Sequence, residues 1–592
     1  METPLKAPNV SALLSENAQR RGDERACTIL GNGHDETDVM THGSLDLEAR
    51  AVAARLQRSV RAGERALILA TDNAHFIRAF MACQHAGVVA VPVAPPLPLR
   101  QPRKAATLQA IAADCGARVV LTGSTTALRE PLRDLAPDLA ALEWIDVDTV
   151  PIEEAADHRA PRVGPEDLSF LQYTSGSTSL PKGVMVSHRA LLRNEEMFSA
   201  VMGTTSDDVI VSWLPLFHDM GLIGKVLHSA YLGTHLVLMP PGAFVQRPAR
   251  WLRALTRYRG TVSGAPNFAY DMCVRRIPEE DRDEFDLSSW RVAFSGAEPI
   301  RPATFDAFVR AYTRHGLAPR AMQAAYGLAE ITLIATGGFS SEVPVTLDAD
   351  RAALRAGRVA AGGDHPLISV GRPRAGRGVL IVDPDTRNTC EEGAVGEIWL
   401  TGPDVPLGYW QRPEDTRETF EAYTADTGEG PFLRTGDLGA LHQGELYITG
   451  RHKDLVIVDG RNHYPHDIEA VAEAAHPWLR PGFSAAFPVE RDGREQVVVV
   501  VAEVLRPVHT RRPGSEAASA PAPSLADIRR AVLTAVAADH DIRLHDVHLV
   551  VPSSVPRTSS GKIQRRACRA AYENGELIPA QEPRARALEG IS

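Results

Sequence analysis

Cysteine is scarce in this 592-residue chain: Cys27, Cys83, Cys115, Cys273, Cys390 and Cys568 stand far apart, and no C-x-x-C pair joins any two of them. The length of 592 residues excludes a small stapled module, and the spacing offers no zinc or dithiol centre, so a reduced, cytoplasmic setting is expected. Long apolar runs are missing as well. The best candidate, residues 226–239, is broken by His228, Ser229, Thr234 and His235, short of the roughly 18 uninterrupted residues of a membrane helix. Residues 1–22 lack the basic stretch and apolar core of an export signal, because Glu16, Arg20 and Arg21 soon follow the 11–13 stretch. Positive charge is not in surplus either: 64 Lys and Arg face 74 Asp and Glu, a formal net charge of −10. Such a surface exerts no general attraction on a polyphosphate backbone, which argues against nucleic acid as the main partner. The expectation is a soluble protein with no stable membrane insertion.

What is present belongs to an ordinary globular chain. Hydrophobic residues make up 44% and charged residues 23%, with 46 Gly and 42 Pro, which excludes global disorder and collagen-like repeats. At about 150 residues per domain, the length suggests roughly four compact units or one large multi-lobed enzyme. Apolar runs at 66–70 and 88–93 flank a helix-like 74–85, the second run stopping before Pro95, Pro96 and Pro98; a helix-like 104–113 then leads into 118–121. This rhythm predicts an α/β fold with parallel sheet in the first half. No fixed-period repeat suggests a solenoid. From 320 to 437 the pattern turns to β-rich segments such as 378–382 and 396–400 between Gly, Pro and Asp turns, predicting a separate β-rich lobe. Residues 445–448 and 455–458 flank the polar Gly450-Arg451-His452-Lys453-Asp454, which reads as a connector. The last domain boundary is placed there, separating 1–452 from 453–592. Beyond it come a strand-like 496–505, an Ala- and Pro-rich loop at 511–524 and a helix-like 525–538.

The densest chemical signal is Thr174-Ser175-Gly176-Ser177-Thr178-Ser179-Leu180-Pro181-Lys182-Gly183, entered from an apolar strand and left through Val184-Met185-Val186. Hydroxyls, glycine-exposed backbone N–H groups and a lysine supply the donors and the cation that triphosphate oxygens require. The Walker pattern is excluded, because Gly183 follows Lys182 where Ser or Thr is needed. The order of residues resembles the phosphate loop of the adenylate-forming superfamily, which includes acyl-CoA synthetases, luciferases and peptide-synthetase adenylation domains. Ser179 stands where that loop commonly has Gly, so a modest change of loop shape is expected, with binding kept.

Further matches follow in the superfamily's order and extend the resemblance from about 66 to 566. It implies a large multi-lobed N-terminal AMP-binding domain, built from two βαβ-type subdomains and a β-rich one, with a small, mobile α+β C-terminal domain. Ser295-Gly296-Ala297-Glu298-Pro299 resembles the segment lying along adenine, where small residues permit close approach of the base. Tyr326-Gly327-Leu328-Ala329-Glu330 resembles the next motif, whose ring stacks on adenine and whose carboxylate helps hold Mg²⁺, a cation that takes one or two carboxylates and leaves the rest to phosphate and water. By the same resemblance, Asp437 accepts hydrogen bonds from both ribose hydroxyls, and Arg451 makes a second ribose or phosphate contact. Lys562, in Pro556-Arg557-Thr558-Ser559-Ser560-Gly561-Lys562-Ile563, corresponds to the lysine that reaches the substrate carboxylate and the α-phosphate. A cation there offsets charge as one anion attacks another. Lys453 corresponds to the hinge about which the small domain turns between half-reactions. The implied chemistry converts ATP and a carboxylic acid to acyl-adenylate and pyrophosphate, then acylates a thiol.

One branch of the superfamily matches best, the fatty-acyl-AMP ligases that feed polyketide and lipopeptide assembly lines. Trp213-Leu214-Pro215-Leu216-Phe217-His218-Asp219-Met220-Gly221-Leu222 resembles its pocket motif, as does Gly264-Ala265-Pro266-Asn267-Phe268-Ala269-Tyr270. Apolar side chains with one His suit a long alkyl chain entering through a polar gate, and His218 joins Lys562 and Glu330 as a catalytic candidate. An amino-acid substrate would need an acid for its ammonium, and the context of Asp219, the only one nearby, does not suit. Residues 460–469 also resemble this branch. The long interval from Glu330 to Gly371-Arg372-Pro373, including 340–366, resembles the branch's insertion, thought to restrict domain motion or the acceptor site. A fatty acid, ATP, Mg²⁺ and the phosphopantetheine of a separate holo-acyl carrier protein are the implied substrates and partners, because only a short stretch follows Lys562. Arg565, Arg566 and Arg569 are expected to meet the carrier's acidic surface. The alternatives are an acyl-CoA ligase of the same fold and a non-catalytic nucleotide- or lipid-binding protein. Intact Glu330, Asp437, Arg451 and Lys562 argue against the last.

Overall fold

The computed structural model describes residues 6–96, 102–123, 125–174, 181–338, 343–374, 376–458, 461–491, 495–505, 524–558 and 561–581. The chain divides into two compact units. The first takes Met1–Asp350, Val359–Thr435 and Gly439–Ile448; the second takes Arg351–Arg358, Gly436–Leu438 and Thr449–Ser592.

In the first unit, a six-stranded sheet runs Glu143–Asp146, Val119–Thr122, Arg65–Ile68, Val89–Pro92, Leu168–Thr174 and Lys182–Ser187 in spatial order. Its neighbours are parallel except for the last pair, a hairpin. Parallel strands covered on both faces must be apolar on both: Ala66, Ile68, Val119 and Leu121 join one core, and Leu67 and Val120 the other. The linking helix Asn73–Ala86 begins where the Asp72 side chain accepts from the Ala74 N–H and ends at Gly87, whose φ is +67°. This is the β-α-β unit expected from the sequence.

An eight-stranded sheet follows the order Ile334–Gly337, Met322–Gly327, Val292–Ser295, Val262–Ala265, Val209–Ser212, His235–Leu238, Arg25–Leu30 and Glu36–Thr41. Its interior is parallel and both edge pairs are antiparallel. The β-rich lobe expected from 320 therefore begins later. Met322–Gly327 and Ile334–Gly337 close this sheet, and only Gly378–Val382, Gly396–Thr401, Leu433–His442 and Glu445–Arg451 form a separate four-stranded sheet. Local β character does not reveal which sheet a strand will join. Within the 340–366 insertion, Thr346–Ala349 pairs antiparallel with His365–Ile368, and the short helix Arg351–Arg355 lies on the excursion between them.

The second unit centres on the sheet Leu479–Arg491, Glu495–Val504 and Leu544–Val550. Val498, Val500 and Ala502 pack beneath helices Pro465–Ala474 and Leu525–His540, while Val499 and Val501 face helix Arg565–Glu573. That alternation is the period-two pattern of a strand buried on both sides. Gly450 and Arg451, expected in the connector, complete the strand Glu445–Arg451, and a 3₁₀ turn, His452–Asp454, follows. No helix among the described residues is long and apolar enough to cross a membrane.

Candidate active site

Four of the segments singled out in the sequence leave the same edge of the eight-stranded sheet. Its strands Val209–Ser212, Val262–Ala265, Val292–Ser295 and Met322–Gly327 are mutually parallel, so their carboxyl ends share one side, the side where open α/β sheets bind ligands. Trp213 to Gly221, Pro266 to Phe268, Gly296 to Glu298 and Leu328 to Glu330 begin there. Gln172 Nε2, from the six-stranded sheet, donates to the Phe217 carbonyl at 3.0 Å and ties the two sheets together. His218 precedes a helical turn, its carbonyl accepting from the Gly221 and Leu222 N–H groups at 3.1 and 2.8 Å. Met220 and Gly221 are buried. Trp213 stacks on Phe244, ring centroids 4.0 Å apart, and meets Phe268 edge-on.

The segments are also stitched to one another. A Glu298 carboxylate oxygen accepts from the Phe268 N–H at 2.7 Å. The Asn267 side-chain oxygen accepts from the Arg301 N–H at 3.1 Å, and its amide donates to Thr304 at 3.3 Å. Between these ties, Ala297 holds a φ of +69°, a conformation that costs a residue with a Cβ and persists only where its surroundings impose it. Gly264 is required by space: a Cβ there would lie 2.5 Å from the Phe294 ring. Ala265 and Pro266 carry the chain from this strand into helix Asn267–Arg276. At Gly327 a Cβ would come 1.8 Å from the Leu333 carbonyl oxygen. Ser295 and Tyr326 are buried.

Thr174 lies opposite Lys182 in the hairpin register, so the phosphate-loop candidate closes on itself at its base. Ser175, Gly176, Ser177 and Thr178, together with Ser179, lie outside the described residues. Alongside the hairpin runs the 407–410 segment: the Met185 N–H donates to the Gly408 carbonyl at 2.9 Å, and the Trp410 N–H donates to that of Gly183 at 2.8 Å. Tyr409 is thereby placed against both predicted phosphate-side groups. Its hydroxyl donates to Glu330 Oε1 at 2.9 Å, and its ring centroid lies 4.9 Å from Lys182 Nζ. Lys182 also pairs with Asp415 at 2.7 Å. Burial, followed by the Glu330 charge, pushes the Tyr409 phenol far above its usual range, so it remains a donor. Neither Tyr409 nor Asp415 was singled out in the sequence; no short-range spacing relates them to 182 or 330.

The turn bearing Glu330 rests on a buried polar hub. Its 3₁₀ turn Ala329–Ile331 leads to Thr332, with φ +71°, whose hydroxyl donates to the Asp404 carbonyl at 2.7 Å. The Asn194 amide lies 3.1 and 3.0 Å from the Ile331 and Ile334 carbonyls and 2.6 Å from the Asp404 carboxylate. Arg377 completes the hub in an ion pair with Asp404, both side chains 0% exposed. Glu330 offers one hard oxygen donor group, and no cluster of three or more His, Cys, Asp or Glu among the described residues could hold a metal. This donor set fits Mg²⁺ bound through one carboxylate with phosphates and water completing its shell, not a protein cage.

In the second unit, Asp437 is buried and accepts from Arg451 Nε at 3.1 Å. Lys453 lies in the His452–Asp454 turn. The Lys562 N–H donates to the Thr558 hydroxyl at 3.0 Å and the Lys562 carbonyl accepts from the Thr558 N–H at 2.8 Å, and Gly561 has a φ of +88°. One expectation is corrected. Arg565 is not a surface charge for a carrier: it holds both Glu469 oxygens at 2.7 Å and Asp454 at 3.2 Å. Arg569 pairs with Glu573 along its own helix.

The sequence profile of the AMP-binding enzyme family matches residues 14–410. The chain is 40% identical to a medium-chain fatty-acid–[acyl-carrier-protein] ligase of Moorena producens, over 95% of both chains. It is 36% identical to a long-chain fatty-acid–AMP ligase of Mycolicibacterium smegmatis, covering 97% of this chain and 96% of that one. Among solved structures, a fatty acyl-adenylate ligase of Legionella pneumophila in complex with acyl adenylate and pyrophosphate is similar with a TM-score of 0.73, 35% identity and 97% coverage of both chains.

Proposed function

The chain belongs to the AMP-binding enzyme family, and on that premise we propose that it activates a medium- or long-chain fatty acid with ATP and passes the acyl group to an acyl carrier protein. A carboxylate oxygen attacks the α-phosphorus, the bond to pyrophosphate breaks, and the acyl-adenylate forms. The phosphopantetheine thiol of a separate carrier then attacks the carbonyl, and AMP leaves. The observation that carries the reading is the line Glu330–Tyr409–Lys182 at the base of the hydroxyl-rich loop, which sets an acid and a cation on the phosphate side of the proposed site.

In this reading Thr174, Lys182 and the loop between them grip the phosphates, Ser295 to Glu298 and Tyr326 border the adenine, and Asp437 with Arg451 holds the ribose. Glu330 would hold Mg²⁺, which when bound neutralises charge on the departing pyrophosphate. Lys562 supplies the cation that offsets charge between the reacting anions, His218 gates the acyl chain, and Lys453 is the hinge. The proposed body is 1–452 and the moving piece 453–592. Within the insertion, Arg351 pairs with Asp539 at 2.7 Å and Arg355 donates to the Asp539 carbonyl at 2.7 Å; Arg351–Arg358 clusters with the second unit. This supports the insertion as a restraint on that unit that disfavours CoA. The proposed setting is the cytoplasm, where six unpaired thiols stay reduced.

The test offers CoA and a holo-carrier protein together, with ATP and a series of fatty acids, and identifies products by mass spectrometry. Acyl-carrier formation dominating over acyl-CoA is the expected result. Efficient CoA thioester formation would overturn the acceptor assignment.

A further inference from the structure

Lys225 is a lysine that the reaction above does not use. It lies in the π-helical turn Leu222–Leu227, which follows directly on the His218–Gly221 segment. Its side chain is 0% exposed, and its Nζ has no hydrogen-bond partner among the described residues. Burial drives the amine well below the normal lysine range. Such a group is costly to bury unsatisfied and calls for an explanation, and single π-helical turns inside helices recur at functional sites.

Its surroundings say where the amine points. Nζ lies 4.0 Å from the centroid of the Phe294 ring, and that ring occupies the space beside Gly264 in which a Cβ would not fit. Phe198 meets Phe294 edge-on with centroids 5.5 Å apart. The amine therefore sits against the same aromatic wall that borders the proposed acyl segment. The neighbouring His228 is engaged elsewhere: its Nδ1 is 2.7 Å from Glu195 Oε2, and its Nε2 is 2.8 Å from the Thr204 hydroxyl. Glu195 Oε1 is buried without a hydrogen bond among the described residues, and it makes none to Lys225. A purely hydrocarbon chain would leave the Lys225 donors unmet. An oxygen on the chain would meet them.

We propose that Lys225 is a specificity-determining residue that hydrogen-bonds an oxygen acceptor on the alkyl chain, so that the preferred substrate is an oxygen-bearing fatty acid and not a plain one. The inference rests on the adenylation reading above. The acceptor is a neutral hydroxyl or keto oxygen, or the second carboxylate of a dicarboxylic acid; the two sources are separated by experiment.

The test measures kcat/KM in acid-dependent ATP–pyrophosphate exchange for dodecanoate, for dodecanoates hydroxylated or oxidised to ketones at successive carbons, and for dodecanedioate. With the native enzyme, at least one oxygenated acid is expected to exceed dodecanoate about tenfold, a step of about 1.4 kcal/mol. In Lys225→Met this ratio is expected to fall to near one, and Lys225→Gln, which keeps a donor, is expected to retain part of it. The ratio is read within each protein, so a general loss of activity cancels. Dodecanoate outperforming every oxygenated acid in the native enzyme, or an unchanged ratio in Lys225→Met, overturns the inference while leaving adenylation intact. Exchange with none of the acids would instead overturn the adenylation reading and this inference with it. Should the variants fail to fold, the native ratio alone decides.

Discussion

Lys562 and Lys182 are both lysines beside glycine, and the structure gives them different partners. Lys182 is tied to Asp415 and lies near the Tyr409 ring, whereas the backbone of Lys562 is pinned on both sides by Thr558. A cation acting on charge that develops only during reaction should matter for rate more than for binding. Lys562→Ala is expected to lower ATP–pyrophosphate exchange by about 10²–10³-fold, the scale of losing one such electrostatic group, with ATP binding measured by calorimetry nearly unchanged. Unaltered exchange would remove Lys562 from the mechanism. Tyr409→Phe takes one donor from the Glu330 carboxylate. A hydrogen bond to a charged group is worth about 1.5–3 kcal/mol, so kcat/KM for ATP should fall roughly ten- to a hundredfold. The magnesium concentration giving half-maximal rate should rise. An unmoved magnesium titration would mean that Tyr409 merely packs.

At the scale of elements, the turn carrying Glu330 depends on groups remote in sequence. Asn194 comes from the helix His188–Met202, Asp404 from the turn that follows strand Gly396–Thr401, and Arg377 from just before strand Gly378–Val382. Asp404→Leu would strand the Arg377 charge, and breaking a buried pair from one side costs about 3–5 kcal/mol. The first unit should show a clearly lowered urea midpoint, and a loss confined to activity would contradict a structural hub. Histidines add a pH dependence. Burial draws His188, His235 and His463 down to about 4, while unfolded histidine titrates near 6.5. The folded state therefore binds fewer protons in this window. Stability should be full above about pH 6.5 and fall progressively toward pH 4, read as the urea midpoint against pH. A midpoint flat across that window would refute the assignment. The β-α-β units were legible because their strands are short apolar runs between turn signals. Strand membership near 322–337 was not, because sheet pairing is settled by partners far along the chain.

For the whole molecule, the division into two units gives the insertion a testable role. On partly exposed surface Arg351 forms an ion pair with the Asp539 carboxylate and Arg355 donates to the Asp539 backbone carbonyl; an exposed ion pair is worth about 0–1 kcal/mol and a hydrogen bond about 1 kcal/mol. Reversing both charges, Arg351→Glu with Arg355→Glu, should therefore raise the ratio of acyl-CoA to acyl-carrier product by no more than about thirtyfold, the scale of about 2 kcal/mol. An unchanged ratio in a folded double variant would end the idea that this helix restrains acceptor choice. A far larger rise would point to a direct block on CoA.

The amino-acid sequence by itself determined the order of the chemical words and their attachment to strand ends, because both are local: an apolar run, a glycine or proline, and a polar residue suffice. It also set the α/β class through apolar runs that only doubly covered strands can bury. Tertiary structure alone decided what crosses between strands and helices. Pairing of 407–410 with the hairpin aimed Tyr409 at Glu330, close packing left Lys225 Nζ without a hydrogen bond among the described residues, and two acids folded over Arg565 withdrew a charge that its local context leaves looking exposed. Burial and partnership are properties of distance in space, and separation along the chain carries no measure of that distance.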